Sequence, residues 1–196
     1  LRREKAPVQT GTVTTICEAN MIRNWLAIAA AVVLVGAFAC GSDDGGNDGG
    51  SDGRNTNRAA CEVFSTAELS DAMGTEMKPG ESEDRTVCEW VAVDEVTGRS
   101  VSLQIYPGGA SGYDESLELL KSNEDATFTD LEGVGDKAYL MVFEFDLGFP
   151  VLVVQAGAAE GDDMVVVTTG AKSGPGVESA LSDTTRGLLV TALERI

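Results

Sequence analysis

The residues with the clearest chemical potential are two carboxylates, Glu144 and Asp146, with Asp136 a short way upstream. Carboxyl groups facing one cleft can divide the work of general acid and general base, the minimum for a hydrolase of envelope polymers. The same i, i+2 spacing on a strand also describes the solvated face of a one-sided sheet. The 196 residues include no histidine. That removes Ser-His-Asp and Cys-His catalysis and imidazole metal sites. No Ser-x-x-Lys is present either. Gly133-x-Gly135-Asp136 precedes a strand, so it lacks the helix N-terminus that would hold phosphate and reads as a tight turn. A calcium loop starting at Asp48 would use Asp52 and Gly53, but Gly50 and Ala59 stand where oxygen ligands are needed. The expectation is a chain with no catalytic constellation, no metal and no cofactor.

A second candidate is apolar. Met141, Phe143, Phe145 and Leu147 alternate with Glu144 and Asp146, so they share one face of a strand. They could line a cavity for an acyl chain or another apolar envelope metabolite. The competing reading is core packing beneath the C-terminal helix.

The elements that must position these residues are legible in outline. Ser65-Thr66-Ala67-Glu68 is a capping box, opening a short helix that runs through Met73 and stops at Gly74. Thr86–Val93 and Ser100–Tyr106 are expected strands, paired across the Thr97-Gly98 turn. Tyr113, Leu117 and Leu120 recur at helical spacing and predict a helix over about 112–122. Lys137–Leu147, Pro150–Gln155 and Met164–Thr169 are further strands, the last two central, with Ala156–Asp163 as the loop between them. Val177, Leu181, Leu188, Ala192 and Ile196 form the stripe of a closing amphipathic helix. The expected fold class is α+β: an antiparallel sheet of about five strands, with a short N-terminal helix, a middle helix and the C-terminal helix packed on it.

Upstream of 58 the sequence concerns address. Trp25–Ala39 is an apolar stretch of fifteen residues after Arg23, which at about 1.5 Å per residue is short of a membrane span. It reads as the h-region of a signal peptide over 21–39, with Met21 as initiator and 1–20, which holds Cys17, as a mis-called start or non-native extension. Ala37-Phe38-Ala39-Cys40 then meets Gly41-Ser42-Asp43-Asp44. This resembles the lipobox of bacterial lipoproteins, although Ala37 stands where that family usually has Leu. The resemblance implies cleavage before Cys40 and a diacylglyceryl thioether on it, with the protein anchored to a membrane that it does not span. Ala37-x-Ala39 also satisfies ordinary secretory cleavage, which would leave Cys40 an unmodified thiol. Residues 40–57 continue as a Gly/Asp linker without an aliphatic side chain, with a reach of about 25 Å. A single α+β domain is expected over 58–196.

With Cys17 set aside and Cys40 assigned to lipid, Cys61 and Cys88 remain as an even pair in an exported chain, which favours a disulfide. Cys61, Thr66-Ala67-Glu68-Leu69, Cys88-Glu89-Trp90 and Val134-Gly135-Asp136-Lys137-Ala138-Tyr139 together resemble the uncharacterised lipoprotein families of actinobacteria. That resemblance implies an envelope domain, similar to the Mog1/PsbP-like α/β sandwich, and no known activity.

Charge narrows the partners. The formal net charge is −18, and residues 58–196 carry 9 basic and 26 acidic groups, a net −17. So acidic a domain excludes a nucleic-acid partner and is repelled by anionic headgroups, leaving Cys40 as the one contact with the membrane. The sequence thus points to a lipid-anchored binding or accessory module on the extracytoplasmic face of the cell membrane, not an enzyme, whose partner is an envelope protein or small molecule. The alternatives are a carrier of a lipid or apolar metabolite and a carboxylate-based hydrolase.

Overall fold

The computed structural model describes residues 59–82 and 84–196. The segments expected to be a signal peptide over 21–39 and a linker over 40–57, with Cys17, Cys40 and the loop starting at Asp48, lie outside the described residues. Among the described residues there are three α-helices: α1 (Thr66–Met73), α2 (Tyr113–Lys121) and α3 (Val177–Arg195). The strands are β1 (Val87–Val91), β2 (Ser100–Tyr106), β3 (Thr127–Asp130), β4 (Lys137–Asp146), β5 (Pro150–Glu160) and β6 (Asp163–Lys172). They form one sheet in the order β1-β2-β6-β5-β4-β3, with every neighbouring pair antiparallel.

The architecture is α+β as expected, with six strands where about five were counted. The extra strand is β3, four residues long with Phe128 as its one large apolar side chain, too short to show a period. The segment Ala156–Asp163 is not a loop. β5 and β6 continue through it to a two-residue turn at Gly161-Asp162, where Gly161 has φ 61°. Gln-Ala-Gly-Ala-Ala reads as a connection because its side chains are small. Smallness is instead what packing requires there, since a Cβ on Gly157 would stand 2.5 Å from the Tyr139 ring.

One face of the sheet is covered by α3, which packs on β5 and β6. Leu181, Leu188, Leu189 and Ala192 meet Val154, Ala156, Val165 and Val167. Buried among them, the Thr169 and Thr185 hydroxyls lie 2.6 Å apart, and Thr185 also donates to the Leu181 carbonyl. Among the described residues no polar group is stranded at that seam.

The two ends of the described chain are clasped. The Ser65 hydroxyl accepts from the Glu68 amide while the Glu68 carboxylate accepts from the Ser65 amide at 2.8 Å, the reciprocal bonds of a capping box. Arg195, at the end of α3, donates to Glu68 and to the Val63 carbonyl, each at 2.7 Å, and stands over the Phe64 ring. Cys61 and Cys88 are disulfide-bonded with Cα atoms 5.0 Å apart, tying the segment before α1 to β1. The outer edge of β1 is covered by bridges from Met77 to Ala92 and Glu81 to Glu89, which removes a free strand edge.

Candidate functional site

Registers across the sheet decide which residues meet. Thr169 faces α3, so Thr168 points to the opposite, second face. Cross-strand pairing carries that face along one row: Met141 opposite Gln155, Gln155 opposite Thr168, Thr168 opposite Ser102, and Ser102 opposite Glu89. The next row toward α2 holds Tyr139, Gly157, Val166 and Gln104. The next row away from it holds Phe143, Val153, Gly170 and Ser100.

Only one end of this second face is covered by a described helix. Tyr113, Leu117 and Leu120, the predicted stripe of α2, pack with Tyr139, Met141, Phe128 and Met164. Toward the β4–β5 turn, Phe143 and Phe145 are half-buried and stacked with ring centroids 6.0 Å apart. The Met141–Phe143–Phe145–Leu147 row therefore does not lie beneath the C-terminal helix. It lies on the face away from α3 and grades from buried Met141 to half-buried Leu147, which falls beyond the end of β4. The reason is local: from Ala138 to Phe143 the strand is apolar on both faces, because Ala138, Leu140 and Val142 take the α3 side. Alternation starts only at Glu144 and cannot say which face the helix takes.

Glu144 and Asp146 share the α3 side of β4 but lie beyond its cover and are exposed. The Ser173 hydroxyl donates to Glu144, and the Gly148 amide to Asp146 at 2.7 Å. Asp136 accepts from the Gly161 amide at 2.9 Å and bonds Ala159 through its own amide, so it locks the turn read from the sequence. Eight residues of extended chain separate it from Glu144, about 26 Å. The structure does not bring these three carboxylates together, and among the described residues no group of acidic and cysteine side chains could hold a metal.

What the second face does bring together is a set of uncharged polar side chains, of which Ser102, Gln104, Gln155, Tyr113 and Tyr139 are buried and Ser100, Tyr106 and Thr168 half-buried. The Gln155 amide donates to the Tyr139 hydroxyl at 2.9 Å, and the Tyr106 hydroxyl donates to Gln104. Burial pushes the Tyr139 phenol well above its ordinary value, and burial with the Asp84 charge does the same for Tyr106. Tyr113 is pushed up to about 12 by burial and by Asp130 and Asp114. All three remain neutral hydroxyls across the physiological range. Gln104, Gln155, Ser102 and Thr168 were not singled out in the sequence, where Ser100, Ser102 and Gln104 alternate with apolar residues like a solvated face.

A concavity of about 510 Å³ lies between α1 and α3, with Phe64 and Leu188 beside Glu68, Asp183, Thr191 and Arg195. Its mixed, ion-paired walls do not resemble a chamber for an acyl chain. No described helix is long and apolar enough to cross a membrane.

No protein-family profile matches this chain, and no curated protein matches it. Among solved structures, a protein of Bacteroides thetaiotaomicron aligns over 56% of this chain and 40% of its own length, at 15% identity and TM-score 0.39. The Ran-binding protein Mog1p of Saccharomyces cerevisiae aligns over 59% of this chain and 80% of its own, at 12% identity and TM-score 0.36. A STAR-related lipid transfer protein of Xanthomonas axonopodis aligns over 59% and 97%, at 10% identity and TM-score 0.23. The chain thus spans less than half the length of the Bacteroides protein. Mog1, whose fold the sequence resemblance names, is among the solved structures to which this chain is similar.

Proposed function

We propose that this chain is a lipid-anchored extracytoplasmic binding module, tethered through Cys40 and taking its ligand or partner on the second face of the sheet. The observation that carries the reading is the asymmetry of cover. Among the described residues, α3 covers one face, whereas α2 covers one end of the other, and toward its far end the stacked Phe143 and Phe145 are half-exposed. Apolar surface bordered by a few convergent polar side chains is the composition of a binding site. The separation of Asp136 from Glu144 supports binding rather than hydrolysis. The anchor rests on the lipobox-like Ala37-Phe38-Ala39-Cys40 and on the linker after it, which holds the domain off the headgroups.

Two experiments test the two halves. Cells fed a clickable fatty acid should label the wild-type protein and not Cys40→Ala; an unlabelled wild type refutes the anchor. Calorimetric heat on mixing the purified chain with detergent-extracted envelope material should vanish in a Phe143→Asp/Phe145→Asp variant of unchanged melting temperature. Equal heats from both proteins refute the face.

A further inference from the structure

β4 is longer than the strand on its outer side. Lys137–Asp146 pair with β5 along their whole length, whereas β3 accompanies them only from Tyr139, opposite Asp130, to Val142, opposite Thr127. Before Thr127 the chain is bent into a turn, in which the Ala126 amide donates to the Asn123 carbonyl and the Asp125 amide to the Asn123 side chain, each at 3.2 Å. Among the described residues, then, no strand lies along the outer side of Phe143–Asp146. About 13 Å of sheet edge is open.

Neighbouring bonds fix what this edge presents. The Leu131 amide donates to the Ala138 carbonyl at 2.9 Å and the Leu147 amide to the Phe149 carbonyl at 3.1 Å, so even-numbered residues of β4 turn their backbone groups toward β3 and odd-numbered ones toward β5. The amides and carbonyls of Glu144 and Asp146 therefore point outward from the sheet. Their side chains are exposed on the α3 side and held in place by Ser173 and the Gly148 amide. On the second face of the same segment stand the stacked, half-buried Phe143 and Phe145. An open edge is a template for another strand, and Phe143–Asp146 contain no proline or cation to blunt it.

Charge selects the occupant. If a second copy paired antiparallel here through the outward groups of Glu144 and Asp146, an acidic side chain would stand directly opposite an acidic one in each such register, which destabilises the pair. A strand with basic side chains opposite Glu144 and Asp146, and apolar ones alternating with them, instead complements both sides of the edge, and the domain's net −17 attracts it. We infer that the outer edge of β4 over Phe143–Asp146 receives an extended segment of a partner protein in which basic and apolar residues alternate, added antiparallel as a further strand. Backbone hydrogen bonds hold the segment, Lys or Arg faces the two carboxylates, and its apolar residues extend the Phe143–Phe145 surface. The inference deepens the reading of the second face, at whose border this edge lies, and rests on it.

The test is a titration of the isotope-labelled full chain with the synthetic peptide acetyl-Gly-Lys-Val-Lys-Val-Lys-Gly-amide, followed by amide chemical shifts. The expected result is a saturable shift gathered on Phe143, Glu144, Phe145 and Asp146, absent when every Lys of the peptide is replaced by Glu. Residues opposite Glu144 and Asp146 turn both their side chains and their backbone groups toward those two, so the Lys amides face β4 and the Val amides face solvent. N-methylation of the Lys amides should therefore weaken binding at least tenfold, and N-methylation of the Val amides by no more than about twofold. Glu144→Gln/Asp146→Asn keeps acceptors for Ser173 and Gly148, so it should leave the melting temperature unchanged and weaken the peptide about tenfold. Equal affinity of the two methylated peptides reduces the contact to charge attraction and overturns the inference. An edge unmoved by the peptide, while envelope extract shifts Phe143 and Val153, overturns it too and leaves the binding face standing; Glu144 and Asp146 then only guard the edge against self-pairing. Silence toward both peptide and extract overturns the inference and the binding face together.

Discussion

Cutting the Cys61–Cys88 tether should lower stability by an amount the structure allows to be worked out. The bond closes a sequence separation of 27 residues, for which the loop-entropy relation gives about 3.5 kcal/mol at 25 °C. Reduction leaves both sulfur atoms in place, so it isolates the tether. For a domain of this size each kcal/mol moves the midpoint by about 3.5 °C, giving a fall of about 12 °C. A Cys61→Ala/Cys88→Ala variant should fall further, by roughly 1 kcal/mol, because Cys88 is wholly buried and its sulfur fills space against Trp90 and Gly80. The assay is thermal unfolding by circular dichroism of oxidised, reduced and double-alanine proteins, with the bond verified by non-reducing mass spectrometry. A linked Cys61–Cys88 peptide with a reduced midpoint within about 3 °C of the oxidised one would refute the reasoning. It would mean that the Ala60 amide's bond to the Arg85 carbonyl and the Arg195 clasp already hold that end.

Three further perturbations separate the parts of the account. Arg195 hydrogen bonding, with the Ser65 amide and hydroxyl, lowers Glu68 to about 2 from its ordinary 4.5, so the clasp contributes above pH 4.5 and is lost as pH falls toward 2. The Glu68 side chain is 47% exposed, so solvent screening limits the effect to about 0.5–1 kcal/mol; urea unfolding at pH 7 and pH 3 should show that loss in the wild type and not in Glu68→Gln. Gly157→Ala forces a methyl into the Tyr139 ring and should cost about 1–3 kcal/mol, with a changed near-ultraviolet aromatic signal; an unchanged protein would place Tyr139 elsewhere. Met141→Ala, at 2% exposure, should cost about 2–4 kcal/mol and Phe145→Ala clearly less, as read by denaturant midpoints; equal costs would contradict the gradient from core to surface along that strand.

Much of the framework could be read from residues because the signals are local. The Ser65–Glu68 box, the α2 stripe of Tyr113, Leu117 and Leu120, and the turn at Gly133-Val134-Gly135-Asp136 each depend on neighbours within a few positions. The side of the sheet that receives α3 could not be read, because Ala138 to Phe143 is apolar on both faces and the distinguishing contacts come from residues more than thirty positions away. β3 was invisible for want of length. The end of the β5–β6 hairpin was mistaken because Gly157 and its alanine neighbours owe their size to Tyr139 and α3, not to a turn. The polar row was hidden for a related reason. Ser102, Gln155 and Thr168 lie on strands whose adjacency is known only once β2 pairs with β6, and singly each looks like a residue turned to water.

The central claim is that the second face of the sheet is where this module binds. Amide chemical-shift mapping of the isotope-labelled chain against soluble envelope extract measures it most directly. The account predicts shifts gathered on Ser102, Phe143, Val153, Gln155 and Thr168. Shifts gathered instead in the groove between α1 and α3, around Phe64 and Thr191, would contradict it.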